Sequence, residues 1–171
     1  MKKKIAILLV MIGLGLVFVN RPQTKVENKI SSGDKSIVSG SFDTKKFKTD
    51  KEWRKILSPQ AFNIMREEGT EIPFTGSLLN EHRKGTFYSA GCDTPLFRSE
   101  QKFDSGTGWP SFWAPIKSDA VVLRNSPDGR IEVLDRCGNH LGHVFDDGPE
   151  PTGKRYCMNS VALKFVPDER Q

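Results

Sequence analysis

Cysteine is scarce in this chain and never stands at redox spacing: 171 residues hold only Cys92, Cys137 and Cys157, with no Cys-x-x-Cys. That absence argues against a thiol-disulfide oxidoreductase built on a dithiol motif. Histidine is equally sparse, at His82, His140 and His143. No internal repeat occurs. The formal charge of +5 is scattered rather than gathered into a basic stripe, with much of the excess in Lys2 to Lys4 and between Lys25 and Lys48. A solvated basic surface with a basic leader is therefore expected, and no nucleic-acid partner. With 36% hydrophobic and 27% charged residues, the length suits one globular domain with its own core.

Long apolar runs are also lacking, with one exception. Met1-Lys2-Lys3-Lys4 precedes Ile5 to Val19, fifteen residues without a charge. This cationic start and apolar run have the layout of a secretory signal or signal anchor. The run is shorter than the ~20 residues that span a bilayer comfortably, yet long for a cleavable segment. The residues Phe18-Val19-Asn20-Arg21-Pro22 lack a small-x-small cleavage pattern, and no cysteine is placed for lipid attachment. An uncleaved anchor over residues 1–20 is preferred to a cleaved signal peptide. The positive end should remain in the cytoplasm and the rest of the chain outside it, or the protein is secreted or periplasmic if the leader is removed. Residues 21–47 are polar and without a sustained apolar period, which predicts a tether. The domain is expected over 48–168.

Within it, Trp53, Ile56 and Leu57 at helical spacing predict a helix over 50–56. Ser58-Pro59 starts a second, with Phe62, Ile64 and Met65 apolar and Gly69 ending it. From Gly85 onward the pattern becomes short extended runs: 86–88, 120–125, 130–134, 143–146 and 156–165. Ser126-Pro127-Asp128-Gly129 marks a hairpin turn between two of them. The fold class is thus mainly β, antiparallel, with short N-terminal helices.

The densest chemistry lies in Arg155-Tyr156-Cys157-Met158-Asn159-Ser160, just after His140-Leu141-Gly142-His143. Strand alternation over 155–165 would put Arg155, Cys157 and Asn159 on one face, continued by Val161, Leu163 and Phe165. A guanidinium beside a thiol lowers its pKa, and an imidazole moves protons near neutral pH. Isolated cysteines are usually inert and buried, and a lone histidine often caps a turn. The clustering favours a reactive Cys157 with His140 and His143 beside it. His82, among Glu81, Arg83 and Lys84, reads as solvated surface.

These segments resemble the methionine-R-sulfoxide reductases of the B type. The landmarks are EWRKILSP at 52–59, GTEIPFTG at 69–76, PLF at 95–97, KFDSGTGWPSF at 102–112, HLGHVFDDGPEPTG at 140–153 and RYCMNS at 155–160. The resemblance implies two antiparallel sheets carrying small helices, and reduction of the R epimer of methionine sulfoxide as protein repair under oxidative stress. It implies a Cys157 nucleophile passing through a sulfenic acid, with His140, His143, Asn159 and Arg155 in the same site. Trp109 and Phe112 of the Gly-rich loop are the candidate substrate-binding aromatics, with a core role the simpler reading of Phe112. The implied partners are oxidised proteins and a thioredoxin-like or small-thiol reductant, and the implied state is a monomer. A non-catalytic peptide-binding module on the same fold is the alternative.

The chain departs from that family in two places. Many members hold structural zinc in two Cys-x-x-Cys pairs, which would fall at 89/92 and 134/137, yet Ser89 and Leu134 stand in two of the positions. No zinc is expected, and Cys92 and Cys137 become candidates for a disulfide, with two free buried thiols as the alternative. The second departure is Thr107, which stands where many relatives carry a resolving cysteine. Direct reduction by an external thiol is preferred over resolution by Cys92 or Cys137.

Overall fold

Two hydroxyls start the helices. In the computed structural model, which describes residues 36–169, the Thr49 side chain accepts from the Glu52 amide while the Thr49 amide donates to the Glu52 carboxylate at 2.8 Å. This reciprocal box opens α1 (Asp50–Ile56). Ser58 caps α2 (Pro59–Glu67) by accepting from the Ala61 amide, with Pro59 at the first position, where its missing N–H costs nothing. Helix α2 ends at Glu68, in the left-handed conformation at φ 57°, one residue before the expected glycine. Gly69 serves by close approach instead, because a Cβ there would lie 2.3 Å from the Asn63 side chain. Trp53 and Phe62 face inward, whereas Ile56 is exposed.

The strands follow as β1 (Ile37–Ser39), β2 (Gly85–Ser89), β3 (Pro95–Arg98), β4 (Lys102–Phe103), β5 (Ser111–Phe112), β6 (Val122–Asn125), β7 (Ile131–Leu134), β8 (His140–Phe145), β9 (Arg155–Met158) and β10 (Leu163–Pro167). They form a seven-stranded sheet in the order β1-β6-β7-β8-β9-β5-β4 and a three-stranded sheet in the order β10-β2-β3. All pairings are antiparallel, as the sequence pattern predicts. Between the sheets Phe112 stacks on Phe97 at 4.3 Å and meets Phe87 edge-on at 4.9 Å. Leu96, Leu141, Val133 and Met158 complete this core, each fully out of solvent.

Two expectations are corrected. Part of the stretch read as a tether packs on the domain: β1 extends the large sheet beside β6, and the Asp43 amide donates to the Arg136 carbonyl. Three residues are too few for periodicity to betray a strand. The leader at 1–20 and the start of the tether lie outside the described residues. Second, the expected strand over 156–165 is two strands in different sheets, separated by a 3₁₀ turn at Ser160–Ala162. The break has a chemical cause. The buried Glu71 carboxylate takes the Ser160 amide at 2.7 Å and the Val161 amide at 3.3 Å, donors that a continuous strand would have used in its ladder. Among the described residues no helix is long and apolar enough to cross a membrane.

A second buried carboxylate fastens the turns at the helical end of the domain. Asp135 accepts from the Cys137 amide, the Asn139 amide and the Asn139 side chain, each at 2.9 Å, and from Ser89 Oγ at 2.6 Å. Burial pushes its carboxyl upward, and these donors oppose that shift. The bond between Cys92 and Cys137 joins the same two turns covalently, with Cα atoms 5.9 Å apart, against Trp53 and Phe62. The bridge closes a separation of 45 residues. For such a loop the chain-entropy estimate is ~4 kcal/mol. Replacing both cysteines by serine should lower the thermal midpoint clearly under non-reducing conditions, and mass mapping of the unreduced protein should find Cys157 alone free.

Candidate active site

Strand register builds the site. On the large sheet Glu132 of β7 lies opposite His143 of β8, His143 lies opposite Cys157 of β9, and Cys157 lies opposite Ser111 of β5. Directly opposed residues of antiparallel strands share a face. A row of polar side chains therefore crosses four strands. Arg124 of β6 extends it, pairing with Glu132 at 2.6 Å.

His140 and His143 are three apart, and plain alternation would place them on opposite faces. A bulge corrects this. Val133 pairs with Gly142 and Leu134 with His140, so Leu141 has no partner of its own on β7. Both histidines then face Glu132, with ring centres 5.2 Å apart. Asn159 secures the bulge, because its amide and its side-chain Nδ2 both donate to the Leu141 carbonyl, at 2.9 and 3.0 Å. Gly142 is required where β8 meets β9, since a Cβ would fall 2.0 Å from the Cys157 carbonyl oxygen.

A cavity of about 100 Å³ opens on this row, lined by Trp109, Arg130, His143, Phe145, Cys157 and Asn159 among others. Burial pushes the Cys157 thiol up, and it outweighs the Thr107 hydroxyl, the Arg155 guanidinium and Ser111, which act in the opposite sense. The expected activation by Arg155 is thus not the net effect. Its guanidinium is held by Asp147 through two bonds of 2.9 Å and lies over the Phe145 ring at 4.4 Å, which shares out its positive charge. Thr107 Oγ1 sits 3.9 Å from the sulfur and continues a chain of hydroxyls, 2.8 Å to Ser105 and from there 2.7 Å to Ser111.

His143 has its pKa lowered to about 4, by burial first and then by Arg130 and His140. It is neutral at pH 7 rather than poised near it. Arg130 lies 3.3 Å from Nδ1, and a guanidinium only donates, so Nδ1 accepts and the ring proton resides on Nε2. Arg130 is itself fixed by Asp128 of the hairpin turn, at 2.6 Å. His140 is placed differently. It is buried behind His143, does not line the cavity, and bonds Glu132 at 2.8 Å through Nδ1. That contact keeps Nδ1 protonated. Although burial raises the Glu132 carboxyl, contacts with His140 and Arg124 bring it net below its usual value.

The other expected residues fall unevenly. Trp109 lines the cavity, and its indole donates to the Glu71 carbonyl at 3.0 Å. Phe112, offered as a substrate-binding residue, is wholly buried between Phe87 and Phe97 and is a core residue, because its position on β5 turns it to the sheet's other face. Asn159 borders the cavity, but both ends of its amide serve the backbone, one at the Leu141 carbonyl and one accepting from the Glu71 amide. His82 is exposed, as expected. Sequence reasoning missed Glu71, Asp147, Arg130 and Glu132. Only Glu132 carried a signal, as a carboxylate inside an apolar strand. Cys92, Asp135 and Cys137 place potential donor atoms within 4.8 Å of one another. This set does not fit a closed tetrahedral zinc site: its sulfurs are bonded to each other, its carboxylate already accepts four hydrogen bonds, and Ser89 and Leu134 supply no thiolates.

The SelR domain family matches residues 57–167. The peptide methionine sulfoxide reductase MsrB of Methanosarcina barkeri is 52% identical over 126 residues, covering 71% of this chain and 89% of that protein. Those of Leptospira interrogans and Pseudomonas putida are 51% and 52% identical, over 69% and 70% of this chain and 93% of each relative. A sheet that sets a free thiol opposite a neutral histidine therefore comes with family likeness across almost the whole described domain, and the chain belongs to the SelR domain family together with these methionine sulfoxide reductases.

Proposed function

We propose that this chain reduces the R epimer of methionine sulfoxide in oxidised proteins to methionine, with Cys157 as nucleophile and an external thiol as reductant. The observation that carries the reading is the register that sets Cys157 opposite His143, in one cavity with Trp109. The indole face suits the methyl and sulfur of the substrate through dispersion and sulfur–aromatic contact, roughly 0.3–1.5 kcal/mol. The Cys157 sulfur attacks the sulfoxide sulfur, the S=O bond breaks, and the oxygen passes to Cys157 as a sulfenic acid carrying the former thiol proton. Methionine leaves, its sulfur reduced by two electrons and Cys157 oxidised by two. Neutral His143, with its proton on Nε2, acts as a hydrogen-bond donor to the oxygen while negative charge gathers there.

Recycling then needs two thiol equivalents. One attacks the sulfenic acid and expels water, forming a mixed disulfide; the second releases the Cys157 thiol. Thr107 occupies the place from which a neighbouring thiol would resolve the intermediate, and its hydroxyl cannot do so. Cys92 and Cys137 are bonded to each other away from the cavity, which supports direct reduction from outside. The same bond and the missing ligands support a zinc-free enzyme. They also suit an oxidising compartment, in keeping with a leader that holds the domain outside the cytoplasm. A non-catalytic peptide-binding module is not favoured, because it has no use for a free thiol in the wall of the cavity.

Cys157→Ser should abolish turnover of a methionine sulfoxide substrate with dithiothreitol while leaving the circular dichroism spectrum unchanged. The wild type should act on the R epimer alone, because Trp109 and His143 fix the methyl and oxygen sides of the cavity; equal rates on the separated epimers would contradict this.

The pH response follows from burial. A raised thiol pKa means less thiolate at any pH below the midpoint, so alkylation of Cys157 by iodoacetamide should rise with pH later than in a cysteine peptide measured alongside. Thr107→Val should move that midpoint further up, by removing a hydroxyl that favours the thiolate. One equivalent of sulfoxide without reductant should leave a Cys157 sulfenic acid that a dimedone-type reagent traps, seen by mass mapping. Rapid appearance of a disulfide from Cys157 to Cys92 or Cys137 would overturn direct reduction.

A further inference from the structure

Trp109 separates two cavities. One holds Cys157; the other, of about 160 Å³, is lined by the apolar Phe74, Leu79, Phe103 and the same indole and by the polar Asn80, His82, Lys102 and Asp104. No step of the reaction uses the second. An apolar cavity of ~150 Å³ accepts a benzene ring, so the volume here is enough for one aromatic or large aliphatic side chain, with polar groups left at its edge for the backbone that carries it.

The loop bordering it is built against the usual preferences. Ile72 and Phe74 are 71% and 67% exposed, although both are large and apolar. Phe74 adopts the left-handed region at φ 66°, where its Cβ is disfavoured and a glycine would fit without strain. The conformation is held by the Gly108 carbonyl, which accepts from the Phe74 amide at 2.8 Å. Gly108 must be glycine for this contact, since a Cβ would come 2.8 Å from the Phe74 nitrogen. Through this clasp and the Trp109–Glu71 bond, the Phe74 loop is tied on both sides to the wall of the Cys157 cavity. Strained, exposed and apolar residues fixed beside a reactive centre point to a ligand.

We propose that the second cavity binds the side chain of a residue neighbouring the oxidised methionine in an extended polypeptide, an aromatic or large aliphatic one. The inference rests on the sulfoxide-reductase reading of the first cavity. With methionine sulfoxide against Cys157, the substrate chain passes over Trp109, and an adjacent side chain enters between Phe74, Leu79 and Phe103. Lys102 gives one donor to the Leu79 carbonyl at 2.6 Å and has two more N–H groups, which can meet a carbonyl of the substrate backbone. Free methionine sulfoxide has nothing to place there. The preferred substrates are accordingly peptide segments in which an oxidised methionine stands beside an aromatic or large aliphatic residue.

The test compares kcat/KM on three substrates: N-acetyl-methionine-R-sulfoxide amide, a pentapeptide with the sulfoxide flanked by glycines, and the same peptide with phenylalanine or leucine as neighbour. The wild type should prefer the apolar-flanked peptide to the glycine-flanked one by about tenfold, the scale on which an apolar pocket discriminates side chains. Phe74→Ala and Leu79→Ala should bring that ratio close to one. A wild-type ratio near one overturns the proposal without recourse to any variant, as does a preference that survives both substitutions. The wild-type rate on the single-residue substrate reports the reaction itself. If it is robust while flank preference is absent, the second cavity falls alone; if no substrate is reduced, the reductase reading falls with it.

Discussion

A single unpaired residue, Leu141, governs the geometry of the site. With a regular β8, His140 would point away from Glu132 and His143 would lose the ring packed behind it. The bulge turns both imidazoles to one side, and the cost of interrupting the ladder is met by Asn159, which donates twice to the freed Leu141 carbonyl. Because Asn159 also accepts from the Glu71 amide, and Glu71 accepts from the Trp109 indole, one network runs from the bulge to the cavity wall. The chemical groups are therefore placed by backbone hydrogen bonds more than by contacts among themselves.

Buried carboxylates recur as fasteners in this domain. Glu71 breaks what would have been one long strand into β9 and β10 and thereby links the two sheets. Asp135 joins two turns through four hydrogen bonds, at the corner where the family resemblance would put a metal ion. Each is stable in a poorly solvated setting because its lone pairs are met by fixed donors. Glu132 differs in kind, since it is satisfied by Arg124 and His140 and so connects the sheet surface to the site.

The electrostatics of the cavity favour neutral partners. Burial keeps the Cys157 thiol protonated and His143 uncharged at neutral pH, and Asp147 shares the charge of Arg155. Such an arrangement suits a thiol that brings its own proton to the sulfoxide oxygen. It also protects the resting thiol from indiscriminate oxidation, because the thiolate is the reactive form.

The sequence by itself determined the elements with strong local signals: the short helices over 50–56 and from Ser58-Pro59, the Ser126–Gly129 hairpin and the mainly β class. Its long motifs also carried the family. Local chemistry decides these, since helix starts and turns depend on neighbouring residues. It left open whether Cys92 and Cys137 pair, a question of distance across 45 residues. Phe112 and Trp109 sit three apart in one motif, and only the sheet separates them, sending one ring to the core and the other to the cavity. The short strand β1 was hidden in a polar stretch because its stability comes from β6, not from its own pattern. Glu71, Asp147 and Arg130 act through partners distant in sequence or through side-chain geometry, and the sign of the Cys157 shift depends on how much water the folded sheet excludes. Those are properties of packing, and tertiary structure alone decided them.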